Sequence, residues 1–155
     1  MYFLNIIKEL SKENNLTIFV DMDGVIAEYD IVTELNFKTK RPLKTNINIL
    51  KEINEIDNIK LCILSICRED YQIKDKNDWL DKYALFFNKE NRYIISKESN
   101  PNKQSKELKR EFIEKYKKEN SDETIVIIDD DNAILKEYKN NIKDIILFQD
   151  SSLID

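Results

Sequence analysis

Histidine is missing from this 155-residue chain, and glycine occurs only once, at Gly24. Without histidine there is no imidazole general base, no phosphohistidine chemistry and no imidazole-ligated metal. Cys62 and Cys67 are the only cysteines, too few for a disulfide scaffold or a four-thiolate zinc site. No apolar run is long enough to span a bilayer, and no secretory leader precedes Asp21, so a reducing, cytoplasmic setting without membrane contact is expected. Twenty-five basic residues against thirty acidic ones give a formal charge of -5, which disfavours a long phosphate backbone as the main partner. The local cluster KTKRPLK can still meet a single phosphate. No residue pattern argues for a particular oligomeric state.

Hydrophobic patterning supplies the positive content. LTIFV, at residues 16–20, is almost uniformly apolar and rich in strand formers, as expected of a strand covered on both faces. Similar runs occur at Leu61 to Ile66, Arg92 to Ser96, Thr124 to Ile128 and Asp144 to Phe148. Segments with helical spacing lie between them. Phe3, Ile6, Ile7 and Leu10 mark one; Leu43, Ile47, Leu50, Ile53 and Ile56 a second; Trp79, Leu80 and Tyr83 a third. Leu108, Phe112, Ile113 and Tyr116 mark a fourth, and Ile134, Leu135 and Tyr138 a fifth. Alternating strands and helices predict one α/β domain over 1–155, built on a doubly wound, mainly parallel five-stranded sheet. Residues 27–42 read as a small insertion, so any cap over the sheet is small or absent.

Carboxylates cluster where the strands end. Asp21 and Asp23 follow the first strand, with Gly24 next to allow a turn and close backbone approach. Ser65 lies at the end of the second, and Asp129, Asp130 and Asp131 close the fourth. Ligands of open α/β sheets bind beyond the carboxyl ends of the strands, so these groups should meet at one edge. A lone Asp-Gly after a strand is usually a turn or cap. Two acidic groups on two strands repel one another unless a cation lies between them, and all-oxygen ligands point to Mg²⁺.

DMDGVIAEY resembles the first motif of the haloacid dehalogenase-like phosphohydrolase superfamily, in wording closest to its 5'(3')-deoxyribonucleotidase-like members. The LS of CILSICRED resembles the second motif and IVIIDDDNAIL the fourth, and the order and strand context match from about residue 16 to 135. The resemblance implies a Rossmann-like fold and two-step phosphoryl transfer. Asp21 would attack phosphorus to form an aspartyl phosphate, and Asp23 would act as acid and then base. Mg²⁺ would bind Asp21, the Asp23 carbonyl oxygen, Asp129 and Asp130. Ser65 would hold a phosphoryl oxygen. An active-site lysine is expected among Lys103, Lys106 and Lys109, with Lys109 preferred, then Lys106.

Other candidates are weighed against plainer roles. Arg68 and Arg41 are possible contacts to substrate phosphate or base, against an ordinary surface role. Asp131 suits a helix cap better than a metal ligand, and Trp79 suits the core. Cys67 is near the site but has no base beside it to make it a nucleophile. The expected function is a Mg²⁺-dependent phosphomonoesterase, 5'-nucleotidase-like, acting on a small-molecule substrate such as a nucleotide. The small cap keeps alternatives open: a phosphatase of nucleic-acid ends or phosphoproteins, or a non-catalytic phosphate- or metal-binding regulatory domain.

Overall fold

The computed structural model describes residues 2–29 and 36–154. Part of the expected insertion, residues 30–35, lies outside the described residues. Five strands form one parallel sheet: β1 (Asn15–Val20), β2 (Ile59–Cys67), β3 (Arg92–Ser96), β4 (Glu123–Asp129) and β5 (Ile145–Gln149). Their order is β3-β2-β1-β4-β5, which leaves β1 central. The direction of winding reverses between β1 and β4, and a reversal of this kind opens a crevice at the carboxyl ends of the two strands.

Period-two alternation distributes the strand side chains between two cores. Ile18, Val20, Leu61, Ile63, Val126 and Ile128 face α1 (Tyr2–Glu13), α2 (Lys44–Asn54) and α3 (Tyr71–Tyr83). Phe19, Cys62, Leu64, Ile125 and Ile127 face α4 (Ser105–Glu119) and α5 (Asn132–Asn141). With both faces covered, the strands read as continuous apolar runs. Each large apolar side chain so buried contributes about 1.5–3 kcal/mol. Among the described residues, no helix is long and apolar enough to cross a membrane.

Local signals set the helix limits. Gln104 and Glu107 form a reciprocal capping box at the start of α4. Asp131 caps α5 by accepting the Ala133 N–H at 2.7 Å. With glycine so scarce, left-handed turns fall to Asn58, Asn102 and Asp144, at φ of 65, 72 and 56°. β2 runs two residues beyond Ser65 because Ile66 and Cys67 continue to pair with Ile95 and Ser96 of β3.

Among the described residues, little material stands above the strand ends. Between β1 and α2 the described chain makes a tight turn at residues 22–27 and a 3₁₀ turn at Phe37–Thr39. Ala27 bridges back to Asp23 and across to Pro42, so the segment is drawn down onto the sheet edge.

Candidate active site

Strand parity sends Asp21 and Asp129 toward the same helices. Both continue the alternation of residues that face α4 and α5, and both are buried. Lys109 reaches them from α4, with its Nζ 2.6 Å from Asp129 Oδ2 and 3.1 Å from Asp21 Oδ1. The other Asp129 oxygen accepts the Asp131 N–H at 3.0 Å. Asp130 completes a group in which one carboxylate oxygen from each of Asp21, Asp129 and Asp130 lies within 4.8 Å of the others. Three carboxylates thus face one ammonium.

The electrostatics follow from that imbalance. Burial, together with the charges of Asp129 and Asp23, raises the Asp21 pKa well above the ordinary carboxylate range, although Lys109 pulls the other way. Burial and the Asp129 charge push Asp130 up to about 6. Lys109 is held firmly protonated by the same carboxylates, against the opposing effect of its burial. A divalent cation would relieve this excess of negative charge, and the donor set, all carboxylate oxygen, suits a hard ion.

Gly24 stands beside the cluster. Its φ is +78°, and a Cβ added there would fall 2.0 Å from Asp130 Oδ2. The lone glycine therefore serves two local needs, a left-handed turn and room for a carboxylate. Its N–H donates to the Ala27 carbonyl at 2.8 Å.

Asp23 belongs to a different environment. Lys76 of α3 donates to Asp23 Oδ2 at 2.8 Å, to Ser65 Oγ at 2.7 Å and to the Ile66 carbonyl at 3.0 Å. Lys40 donates to Asp23 Oδ1 from the other side. Both lysines are almost wholly buried, at 3% and 2% exposure, and both ammonium groups lie over the Phe37 ring. Burial alone would raise the Asp23 pKa, but the two ammonium groups outweigh it and hold it below the ordinary value. Trp79 is buried core, as its sequence context suggests, and its indole N–H also donates to the Lys40 carbonyl at 2.9 Å.

The other sequence candidates are dispersed. Lys106 lies one turn before Lys109, half-buried, with no ion pair to the carboxylates among the described residues. Lys103 pairs with Glu111 at 2.6 Å. Arg41 pairs with Glu28 at 2.7 Å, away from the carboxylate cluster. Arg68 lines the cavity that holds Asp23, Lys40 and Lys76. Cys67 lines it as well, but burial raises its thiol pKa, which leaves it a poor nucleophile.

Sequence reasoning placed neither Lys40 nor Lys76 at Asp23; Lys40 entered only within the basic cluster KTKRPLK. For Lys76 a signal exists: it stands three, four and seven residues before Trp79, Leu80 and Tyr83, on the apolar face of α3. Lys40 sits in irregular chain and has no such periodicity.

No family model matches the chain, and no curated protein matches it. Its fold is similar to chains in two solved structures, one of a Pnkp1/Rnl/Hen1 complex and one of the Pnkp1/Rnl/Hen1 RNA repair complex. The TM-score is 0.67 in both, at 15% and 16% identity, over 88% of this chain. The chain spans less than half of those chains, 46% and 42% of their lengths. At such identity the likeness is one of fold. The strand order and the acidic cluster agree with the fold and the carboxylate grouping that the sequence resemblance implies, and they favour no subfamily.

Proposed function

We propose that this chain is a Mg²⁺-dependent phosphomonoester hydrolase working as a single domain, and that its substrate is the phosphorylated end of a nucleic acid rather than an enclosed mononucleotide. The observation that carries the hydrolase assignment is the meeting of Asp21, Asp129 and Asp130 at the winding reversal, with Asp23 two residues from Asp21. Three features favour the larger substrate. The described residues place no cap domain over the strand ends, which suits a phosphate attached to a bulky body. Tyr29, 68% exposed, lines both cavities at the site and offers an aromatic face for a base. The fold also resembles that of chains in an RNA repair complex.

In this mechanism Asp21, Asp129 and Asp130 would hold Mg²⁺, with the Asp23 carbonyl as a further ligand. Bound there, the ion supplies charge neutralisation between the phosphate and the attacking carboxylate. Asp21 attacks phosphorus, the P–O bond to the leaving group breaks, and an aspartyl phosphate forms. With the Lys76 ammonium drawn to the entering phosphate, Asp23 takes up a proton from solvent and delivers it to the departing oxygen, then takes one from the water that releases inorganic phosphate and restores Asp21. Ser65 and Lys76 hold phosphoryl oxygens, and an entering phosphate competes with Asp23 for the Lys76 ammonium. Lys109 steadies Asp21 and Asp129; Lys106 is a secondary candidate for that task. Arg68 contacts the substrate, and the Gly24 turn leaves room for it. A cytoplasmic setting is part of the proposal.

The test is hydrolysis of a 3'- or 5'-phosphorylated oligonucleotide and of mononucleotides, with Mg²⁺ and with EDTA. Wild-type protein should release phosphate only with Mg²⁺, and most readily from the oligonucleotide. Asp21→Asn should lower turnover by about 10⁴-fold or more while the fold persists. Wild-type-like turnover by that variant, or activity in EDTA, overturns the mechanism.

A further inference from the structure

Tyr138 of α5 carries a polar atom that the core does not require. Its ring belongs to the core between the sheet and α4 and α5, and the residue is 1% exposed. Packing accounts for the ring but not for the hydroxyl, which is buried with no hydrogen-bond partner among the described residues. A phenylalanine would fill the same space and bury no polar group. Tyr116 of the same core shows the ordinary arrangement: its hydroxyl donates to Glu123 Oε2 at 2.6 Å.

The helix places the Tyr138 hydroxyl near the carboxylates. Asp131 caps α5 just beyond the end of β4, so the start of this helix lies at the site. Side chains tilt toward the start of their own helix. Ile134, one turn before Tyr138, lines a cavity of about 360 Å³ together with Asp21, Asp130 and Lys109. The longer Tyr138 side chain brings its hydroxyl within electrostatic reach of the charged group. Burial lifts the hydroxyl pKa far above the ordinary phenol value; Lys109 opposes this, while Asp129 and Asp21 add to it. The group is a neutral phenol.

Lys109 has a matching deficit. An ammonium carries three N–H donors, and Lys109 meets two acceptors, Asp129 Oδ2 at 2.6 Å and Asp21 Oδ1 at 3.1 Å. Both acceptors belong to the carboxylate group that suits a divalent cation. An oxygen turned toward such a cation is a weaker partner for Lys109, and at 3% exposure the lysine is shielded from solvent. A cation therefore creates a need for a neutral acceptor beside Lys109.

We propose that Tyr138 is a positioning residue for Lys109, its hydroxyl oxygen accepting an ammonium N–H when Asp21 and Asp129 turn toward a divalent cation. The inference rests on the metal-dependent phosphohydrolase reading and adds a residue to the set that supports the metal. Without the hydroxyl, Lys109 competes with the cation for the two carboxylates, so the loss is read in metal affinity.

Full-length wild type, Tyr138→Phe and Tyr116→Phe are compared by calorimetry with Mg²⁺ and by thermal unfolding in EDTA. Tyr138→Phe should bind Mg²⁺ about tenfold more weakly, yet unfold without metal at the wild-type temperature or above it. Tyr116→Phe should do the reverse, unfolding at a lower temperature with wild-type Mg²⁺ affinity. A near-ultraviolet tyrosine difference band induced by Mg²⁺ should appear in the wild type and in Tyr116→Phe, and vanish in Tyr138→Phe. Three results overturn the role and leave the hydrolase reading in place: wild-type Mg²⁺ affinity in Tyr138→Phe, a difference band retained there, or a metal-free unfolding temperature as low as that of Tyr116→Phe. A wild-type protein that binds no Mg²⁺ overturns both. The expected loss of affinity in Tyr138→Phe, with no phosphate release by the wild type from oligonucleotide or mononucleotide, tells against hydrolysis and supports the Tyr138 role.

Discussion

The two aspartates of Asp-Met-Asp-Gly are two residues apart, yet they sit in environments of opposite sign. Asp21 belongs to a half of the site where, among the described residues, three carboxylates face Lys109. Asp23 belongs to a half where two ammonium groups face one carboxylate. The first half lacks a cation and the second lacks an anion. A metal-bound phosphate monoester brings both, and its phosphorus would lie between them. Strand parity accounts for part of the division, since Asp21 continues the β1 alternation toward α4 while the turn at Gly24 carries Asp23 toward α3. The lesson is that a motif of two like residues can be read by the different helices each one meets.

The largest effect is expected from removing the one cation that the described residues place in the acidic half. Lys109→Met leaves Asp21 and Asp129 buried without their counter-charge and should destabilise the metal-free protein by about 3–5 kcal/mol. Lys76→Met leaves Asp23 paired with Lys40 and should cost clearly less. Thermal unfolding in EDTA compares the two; equal losses would mean the halves are not electrostatically distinct.

Metal and pH sharpen the same contrast. For Asp21 and Asp130 of the acidic half the folded-state pKa is raised, so without metal these two contribute most to stability at low pH. That contribution falls as pH rises from the ordinary carboxylate value near 4 through the raised values, about 6 for Asp130. Asp23, with its lowered pKa, behaves in the reverse sense: its contribution is present above the ordinary value and is lost as pH falls through the lowered one. Mg²⁺ should therefore stabilise the protein more at pH 7.5, where a hundredfold excess over its Kd contributes about 2.7 kcal/mol, than at pH 5. Melting curves at the two pH values check this, and an equal shift at both would count against the acidic half as the metal site.

The smallest effect is a control at the opposite end of the strands. There Glu123 accepts from Thr17 at 2.7 Å, Tyr116 at 2.6 Å and Lys60 at 2.9 Å. Glu123→Gln should cost about 1 kcal/mol and leave turnover and Mg²⁺ binding unchanged. Denaturant unfolding and the phosphate-release assay together read the result.

Much of this was legible in the residues. The five apolar runs became five strands with ends moved by no more than two residues, because strands buried on both faces have little freedom of composition. Asp21, Asp129 and Asp130 followed from where those strands end. Lys76 was hidden by its neighbours: α3 reads YQIKDKNDWLDKY, and a lysine among so many charges looks solvated until its spacing to Trp79 and Leu80 is considered. Lys40 reaches Asp23 through tertiary contacts that no local pattern records, its carbonyl held by Trp79 thirty-nine residues away.

That link has a spectroscopic consequence. The chain contains one tryptophan and one glycine, and they report on different halves of the site. The Trp79 indole is bonded to the carbonyl of Lys40, so intrinsic fluorescence is a native signal for events on the cationic side. Gly24 packs against Asp130, so glycine-selective ¹⁵N labelling gives a single amide resonance beside the carboxylates. The order in which metal and phosphate arrive can be followed from these two signals, with no added dye or tag.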